Sequence, residues 1–446
     1  MAEFSLKDSY LELFEKTPMF LPEGFVSDAT GLIIEGTCPG AGIGSICEIS
    51  ADKKILAEVT GFRNDKILMM PYEEAAGIRQ GAAIRLVRKQ ATFRVSDDLI
   101  GRIIDGLGRP IDDKPELDGG TEYRLYSRPL NPMRRERITK PLDLGIRAIN
   151  SLLTVGKGQR LSVMAGSGVG KSVLMSMIAR STKADVNVIA LVGERGREVR
   201  EFIEESLGPE GLKRSIVICA TSDVSPVLRM RAAFVATTIA EHFRAQSKDV
   251  LLMMDSVTRF AMAQREVGLA SGEPPTTKGY PPSVFAMLPR LFERAGNLTS
   301  GGSITGIYTV LTEADDINDV IGDTVRSIVD GHIVLSRKLA SKNHFPAIDV
   351  PLSSSRVMPN VVSNDQISNA AKLKKILAVY AEAEDLINIG AYVKGSNPEI
   401  DEAIQLIQPI REFLKQGPKE IVSFADSFAK LKTIFDAKAN PKGAGA

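Results

Sequence analysis

The sequence predicts an α/β protein made of a small N-terminal β-barrel, a central domain with a mostly parallel sheet, and a C-terminal helical domain. Three observations support this division. Residues 24–93 contain short β-type runs between glycine-rich turns, strands alternate with helices from about 145 to 360 within a central domain of residues 94–360, and residues 361–446 show helical periodicity. We therefore expect three folded domains, preceded by a short N-terminal segment, residues 1–23.

The composition is that of an ordinary globular protein. With 446 residues, of which 43% are hydrophobic and 25% charged, the chain is long enough to form two or three separate cores. Lys and Arg total 56 against 55 for Asp and Glu, so no net charge attracts nucleic acid or a membrane surface. We therefore expect no nucleic-acid partner.

The cysteines and the N-terminus indicate a cytoplasmic protein. Cys38, Cys47 and Cys219 lack metal-binding spacing and are expected to be buried, reduced thiols. The first residues lack the basic region and apolar core of a signal peptide. No uncharged apolar run approaches the roughly 20 residues that span a bilayer, so any membrane role is expected to depend on partners.

The N-terminal segment has apolar residues at helical spacing with charged residues between them. The apolar positions are Leu6, Tyr10, Leu13 and Phe14. This pattern fits an amphipathic helix that docks a partner, and it also fits a terminal helix lying on its own domain. From the residues alone, the second interpretation is the stronger one.

The barrel is predicted from β-type runs at regular spacing. These runs are Gly31–Gly36, Ala57–Gly61, Lys66–Pro71 and Ala83–Val87. The region 24–93 offers no catalytic constellation, so we expect it to have a structural and oligomer-forming role. The run Gly101–Pro110 is dense in turn residues and is interpreted as the exit from the barrel, and the polar residues 111–140 are expected to cover the next domain.

The central domain is predicted from apolar strands that alternate with helical patterns such as Val227–Arg244 and Val257–Val267. The candidate strands are Asn187–Val192, Ser215–Ala220, Val250–Met254, Ile304–Leu311 and Ile333–Leu335. Alternation of this kind indicates a mostly parallel sheet covered on both faces. Ligands bind at the carboxyl ends of the strands in such sheets.

A glycine-rich loop between a strand and a helix is the strongest functional signal. It consists of Ala165, Gly166, Ser167, Gly168, Val169, Gly170, Lys171 and Ser172. The backbone N–H groups of such a loop and the helix N-terminus cradle phosphates, while Lys171 would reach the terminal phosphates and Ser172 would ligate Mg²⁺. Ala165 replaces the usual glycine, which requires its φ to stay negative. A loop without a ligand would leave Lys171 unexplained, so we expect a nucleotide site.

Two carboxylates follow apolar strands of the same predicted sheet. Asp255 ends the strand that begins at Val250, where it would hold Mg²⁺ or its water. Alone, such an aspartate often caps the next helix, but its position downstream of a phosphate loop favours the metal role. Glu194 could be a solvated turn residue. Beside a triphosphate it could instead orient and deprotonate the attacking water.

The remaining segments are a proline-rich loop and the C-terminal helices. Gly272–Pro282 is too rich in proline and glycine for the interior of an element, and it is either functional or a surface connection. Helices are predicted over Ala370–Ile389, from Asn397 onward, and over Ile421–Phe435.

Taken together, these motifs resemble those of the catalytic subunits of rotary ATPases, and more closely those of the type III protein-export ATPases of flagella and injectisomes. The matching segments are Ala165–Ser172, Gly193–Glu198, Asp255–Glu266, Lys278–Phe285 and Ser355–Arg356. The resemblance extends from the barrel to the C-terminal helices and is densest over residues 145–360. It implies a RecA-like P-loop ATPase core that couples hydrolysis of Mg-ATP to protein export.

The resemblance also implies roles for individual residues. Lys171 and Ser172 would bind the phosphates and Mg²⁺, and Asp255 would support the metal. Glu194 matches the carboxylate that activates the hydrolytic water, with Arg195 beside it. Two further matches are Arg356, to an arginine finger that reaches into a neighbouring subunit's site, and Phe345, to the aromatic residue that stacks on adenine.

The family resemblance implies an active homohexamer and a set of protein partners. These would be a coiled-coil stalk protein, a stator-like regulator at the N-terminal segment, export substrates with their chaperones, and the export gate at the inner membrane. The linker Arg128–Pro132 favours flagellar over injectisome use.

Three other functions remain as alternatives. An ion-driven ATP synthase subunit is disfavoured because the residues of these motifs resemble those of the export ATPases more closely. An RNA translocase is disfavoured because residues 24–93 lack basic stretches interleaved with aromatic residues. A non-catalytic ring subunit is disfavoured because Lys171, Glu194 and Asp255 are retained.

Overall fold

The computed structural model describes residues 23–117, 119–312, 316 and 319–439. The predicted N-terminal helix with Leu6 and Phe14 lies outside the described residues. The described part of the chain divides into two compact units, one formed by residues 23–92 with Glu266–Glu273, the other by the described residues of 93–265 and 274–439.

The first unit contains the predicted β-barrel. Its strands are β1 (Glu23–Thr30), β2 (Ile33–Gly36), β3 (Ile46–Ser50), β4 (Lys54–Arg63), β5 (Lys66–Pro71) and β6 (Ala83–Arg88). They close in the order β1-β2-β5-β4-β3-β6 around a core that includes Ile34, Ile49 and Met69. The sequence analysis missed β1 and β3. Strand β1 is mostly exposed and polar, so its hydrophobic signal is weak, yet its pairing with β2 and β6 is what closes the barrel.

The second unit is built on the predicted sheet. Its strands are β7 (Thr92–Val95), β8 (Ile103–Asp105), β9 (Thr121–Arg124), β10 (Arg160–Ala165), β11 (Val186–Val192), β12 (Ser215–Ala220), β13 (Asp249–Asp255), β14 (Gly296–Asn297), β15 (Ser303–Leu311), β16 (Gly331–Leu335) and β17 (Ile348–Ser355). The main sheet has the order β17-β16-β10-β15-β13-β11-β12-β8, while β7 pairs with β9 separately. The pairs from β16 to β8 are parallel, whereas β17 is an antiparallel edge strand.

Two edge strands differ from the sequence expectations. The run interpreted as the exit from the barrel contains β8, which buries Ile104 and pairs with β12 in parallel. Three residues are too few to show a strand period among so many turn residues. Strand β17 was not predicted because Pro351 and its serines lower the strand signal, although an edge strand tolerates proline.

Helices cover the sheet and form the C-terminal part. The α-helices are Arg147–Leu152, Lys171–Ser181, Gly196–Glu201, Gly208–Leu212, Pro226–Ala245, Val257–Ala270, Pro282–Phe292, Val320–Ile328, Arg337–Ser341, Met358–Val361, Asn364–Asn388, Pro398–Leu414 and Phe424–Ala439. Residues Phe202–Leu207 form a π-helix, and Asp97–Leu99, Pro132–Arg134 and Thr277–Gly279 are short 3₁₀ turns. The predicted start at Asn397 is confirmed, because its side chain accepts from the N–H groups of Glu399 and Ile400.

The cysteines are buried and free, as predicted from their spacing. Burial raises the pKa of Cys47 and of Cys219 to about 12, so both remain thiols. Among the described residues, no helix combines the length and the apolar character needed to cross a bilayer.

Candidate active site

The site lies where β10, β13 and β11 end on the same edge of the main sheet. In the strand pairing Leu311 lies opposite Ala165, Tyr308 opposite Met254, and Asp255 opposite Leu191. This register brings the glycine-rich loop and the two predicted acidic strand ends together. It is the arrangement expected for a ligand site in a parallel sheet.

The glycine-rich loop connects β10 to the helix Lys171–Ser181. Gly168 and Gly170 have φ values of 77° and 94°, a conformation that side chains disfavour. Ala165 is the last residue of β10 and has extended backbone geometry. The substitution of the usual glycine by alanine is therefore accommodated without strain.

Lys171, Asp255 and Glu194 form a cluster at the mouth of this loop. The Lys171 Nζ forms an ion pair with Asp255 Oδ1 and lies 3.5 Å from Glu194 Oε1. The three side chains are 11%, 8% and 14% exposed, so water screens their charges only weakly. Thr309, on the intervening strand β15, donates from its hydroxyl to Asp255 Oδ1 at 2.7 Å.

The cluster holds two carboxylates against one ammonium group, which perturbs its titration. Burial raises the pKa of Glu194 to about 7, and the nearby Asp255 charge adds to this while Lys171 opposes it. Burial by itself would lower the pKa of Lys171, but the carboxylates of Asp255 and Glu194 outweigh it and raise that pKa. Lys171 is therefore charged, and Glu194 can exchange a proton near neutral pH.

The backbone around Glu194 is fixed by neighbouring strand ends. The carbonyl of Glu194 accepts from the Ser222 N–H at 3.0 Å. Gly193 has a φ of 71°, and a Cβ there would lie 2.6 Å from the Arg259 side chain. Only glycine allows this close approach, so the turn after β11 fixes the backbone that carries Glu194.

The donor set at the loop suits a magnesium ion that accompanies a triphosphate. Ser172 is exposed at the start of its helix and follows Lys171, whose ammonium forms the ion pair with Asp255. Mg²⁺ prefers oxygen ligands and is usually held by one or two protein groups plus phosphates and water. A hydroxyl and a carboxylate at this position fit that requirement.

Phe345 lies against the glycine-rich loop. Its ring carbons Cδ1 and Cε1 are 3.5 Å from the position that a Cβ on Gly170 would take, and the residue is 41% exposed. Arg337 also contacts the loop, since its Nη2 donates to the Ser167 carbonyl at 3.1 Å. An exposed aromatic ring beside a phosphate loop is positioned to stack on a nucleotide base.

The structure does not bring Arg195 into this cluster. Its side chain is 82% exposed and pairs with Glu198 at 3.4 Å. Arg195 therefore lies beside Glu194 in sequence only.

Arg356 lies away from the glycine-rich loop of its own chain. Arg356 follows Ser355, the last residue of β17, which pairs with Gly331 at the start of β16. The glycine-rich loop follows Ala165, which pairs with Leu335 at the other end of β16. Arg356 and the loop are thus separated by four residues along the strand direction, about 13 Å, and by two strand spacings across the sheet, from β17 to β10. The exposed Arg356 side chain cannot complete its own chain's site.

Gln416 joins the end of the C-terminal helix Pro398–Leu414 to Phe345. Its N–H donates to the Phe345 carbonyl at 2.9 Å, and its side chain accepts from the Arg147 N–H at 2.7 Å and donates to the carbonyls of Gly145 and Glu420 at 2.8 Å. Gln416 is 5% exposed.

Replacing this side chain should destabilise the protein measurably. Gln416→Ala leaves the buried Arg147 N–H without its acceptor and removes the donor to the carbonyls of Gly145 and Glu420. We therefore expect a loss of about 1–3 kcal/mol in the free energy of unfolding. Denaturant titration measures it. The exposed Gln405→Ala change in the preceding helix is the matched control and should alter stability by less than about 0.5 kcal/mol. Equal effects of the two changes would contradict the expected role of Gln416.

Several contacts of the site escaped the sequence analysis, among them those of Thr309, Arg259 and Gln416. A signal for Thr309 existed, because a hydroxyl residue near the end of a predicted central strand faces the same edge as Asp255. Arg259 and Gln416 had none, since their contacts depend on the folded path of the chain.

Comparison with known proteins agrees with this geometry. Residues 145–355 match the model of the "ATP synthase alpha/beta family, nucleotide-binding domain", residues 26–87 match the β-barrel domain of that family, and residues 362–433 match the "T3SS EscN ATPase C-terminal domain".

Several curated proteins are similar over nearly the whole chain. The "Flagellum-specific ATP synthase" of Bacillus subtilis (strain 168) is 52% identical over 430 residues, covering 96% of this chain and 98% of that protein. The protein of the same name from Salmonella typhimurium (strain LT2) is 48% identical, covering 95% and 97%. The "Type 3 secretion system ATPase" of Xanthomonas euvesicatoria is 47% identical, covering 93% and 94%.

Solved structures show the same fold. The assembled ATPase EscN of the enteropathogenic E. coli type III secretion system superposes with a TM-score of 0.87 at 48% identity, covering 92% of this chain and 99% of EscN. EscN in complex with its central stalk EscO gives a TM-score of 0.86 at 47% identity with the same coverage.

Proposed function

Because the chain belongs to the ATP synthase alpha/beta family, among the flagellum-specific ATP synthases and type 3 secretion ATPases, we propose that it hydrolyses Mg-ATP to drive protein export, most specifically through the flagellar apparatus. The observation that carries this proposal is the buried Lys171–Asp255–Glu194 cluster at the mouth of the glycine-rich loop.

ATP binding rearranges this cluster. The N–H groups of the loop Gly166–Ser172 cradle the phosphates, and the Lys171 ammonium turns from the carboxylates to the terminal phosphates. Ser172 and Asp255 would hold Mg²⁺, which would neutralise phosphate charge. Thr309 keeps the Asp255 carboxylate in place, and Phe345 would stack on the base.

Glu194 acts as the general base. As the oxygen of a water molecule bonds to the γ-phosphorus, the bond from that phosphorus to the bridging oxygen breaks and ADP leaves. The proton of the attacking water passes to the Glu194 carboxylate. A pKa of about 7 suits this role, because the group is deprotonated enough to accept the proton yet basic enough to drive the transfer.

The assignment of the base predicts a pH dependence. Glu194 must be deprotonated to act, so kcat/KM should fall as the pH is lowered through about 7 and level off above about 8. Phosphate release measured at low ATP concentration and saturating magnesium gives this profile.

Glu198 provides a control for that profile. The negative charge of the Glu198 carboxylate raises the pKa of Glu194, so Glu198→Gln should move the acid limb to lower pH. A profile that stays flat between about pH 6 and 8 would assign the proton transfer to another group.

The proposed assembly is a homohexamer in the cytoplasm, held at the inner membrane through the export apparatus. In this assembly Arg356 of one subunit would complete the site of its neighbour. A coiled-coil stalk protein is the proposed central partner, in keeping with the EscN–EscO complex. Further proposed partners are a stator-like regulator at residues 1–23, the export gate, and substrates with their chaperones.

A secretion assay tests the function itself. Deleting the gene should stop secretion of flagellar subunits, and the wild-type chain but not Lys171→Ala should restore it. Normal secretion supported by Lys171→Ala would contradict a motor role for ATP hydrolysis.

A further inference from the structure

A cavity of about 360 Å³ lies between the C-terminal helices and the edge of the main sheet. It is lined from one side by the segment 336–351 and from the other by the helices Asn364–Asn388 and Pro398–Leu414. Its volume is within the range of small-molecule sites, about 300–1,000 Å³. None of the loop residues Ala165–Ser172 is among its lining residues.

The inner wall of the cavity is apolar. Leu377, Ile407 and Leu414 from the helices face Leu339 and Ile348 from the other side. Such a wall accepts the apolar body of a ligand, because water leaves both surfaces on binding.

Positive charge surrounds the opening. Among the described lining residues four are basic, namely Lys338, Lys342, Arg411 and Lys415, and two are acidic, Asp349 and Glu384. Glu384 alone receives three of the cations, with the nitrogens of Lys338, Lys342 and Arg411 at 3.1, 3.1 and 3.5 Å from its oxygens. Lys415 pairs with Glu412 at 3.0 Å. When this carboxylate is counted with those of Asp349 and Glu384, the four basic groups still leave the opening with one net positive charge.

His344 supplies an independent indication of a ligand. It lines the same cavity and is 5% exposed, yet its Nε2 has no hydrogen-bond partner within the part of the chain that the structure describes. Burial, reinforced by the charges of Lys415 and Arg411, lowers the pKa of His344 and keeps the imidazole neutral. A buried ring nitrogen without a partner is costly unless a ligand or water satisfies it.

We propose that this cavity is a binding site for a small amphipathic anion, with its apolar body against Leu377 and Ile407 and its sulfonate, carboxylate or phosphate group at Lys338, Lys342 and Arg411. Cations on flexible stems around an apolar cavity recognise such a ligand through charge-assisted hydrogen bonds. The His344 ring completes the polar contacts at the buried end. This site is separate from that of ATP and does not depend on the proposed function.

Binding of the fluorescent dye anilinonaphthalene sulfonate tests the proposal on the full-length protein. We expect a saturable site with one dye per chain. Excess Mg-ADP should not displace the dye, although His344 is adjacent to Phe345. Absence of saturable binding, or displacement by Mg-ADP, would overturn the proposal.

Variants separate this cavity from other surfaces. The double change Lys338→Gln with Lys342→Gln should weaken dye binding about tenfold, while the uncharged analogue phenylnaphthylamine should be affected much less. Lys375→Gln is the matched control. Lys375 lies on the same helix as Glu384 and forms an exposed ion pair with Glu399, but it does not line the cavity. It should leave dye binding unchanged.

Filling the cavity provides the second variant. Ala381 is exposed and lines the opening, so Ala381→Trp should block dye binding without disturbing a buried contact. Unchanged dye affinity in both the lysine double variant and Ala381→Trp would place the dye elsewhere and overturn the proposal.

Discussion

Glu194→Gln should bind Mg-ATP normally but hydrolyse it about 10²–10⁴-fold more slowly than the wild type, the usual contribution of a general base. The amide has the shape of the carboxylate but cannot accept the proton from the attacking water. It also removes one of the two buried negative charges beside Lys171, so the variant should fold at least as well as the wild type.

Two measurements on the same preparations test this expectation. Equilibrium binding of ATP should be retained in Glu194→Gln and lost in Lys171→Ala, because only the second change removes a phosphate contact. Turnover should be lost in both. Hydrolysis by Glu194→Gln at the wild-type rate would show that the base is assigned wrongly, whatever the result for Lys171→Ala.

The sequence was sufficient to locate this cluster because each of its members lies at the end of a strand or in the turn or loop that follows one. An apolar run followed by a glycine-rich loop, by Glu194 or by Asp255 can be recognised locally, and parallel strands bring such ends to one edge. The strands β1, β8 and β17 were harder to predict. Strand β1 closes the barrel, and β8 and β17 are the edge strands of the main sheet. Polar residues, turns and proline are tolerated there, so the alternation of apolar and polar residues that marks a strand is lost.

Contacts that depend on distant parts of the chain could not be predicted. Gln416 reaches Phe345 and Arg147 only after the C-terminal helices have packed on the central domain. The exposure of Arg195 likewise depends on the direction of the helix Gly196–Glu201, which begins directly after it. Periodicity shows which face of an element is buried, but it does not identify the side chain that lies opposite.

Arg356→Ala should retain ATP binding and lose turnover by about 10³–10⁵-fold, the range measured for arginine fingers. The structure gives the reason for expecting action between subunits. Arg356 lies beyond the amino end of β16, where its N–H donates to the Asp330 carbonyl, while the glycine-rich loop of the same chain lies beyond the carboxyl end of the neighbouring β10. Only another copy of the chain can bring an Arg356 side chain to this loop.

Mixing two inactive variants distinguishes this mechanism from simple damage to the fold. In random one-to-one rings of Arg356→Ala and Lys171→Ala, about a quarter of the interfaces combine an intact loop with an intact arginine, so activity should return to roughly that fraction. Mixing Arg356→Ala with the double variant Lys171→Ala, Arg356→Ala creates no intact interface and should restore nothing. If the first mixture also stays inactive although the rings form, or if wild-type activity per subunit does not fall on dilution to monomers, the site is contained within one chain. The assignment of Arg356 to the neighbouring site would then be wrong.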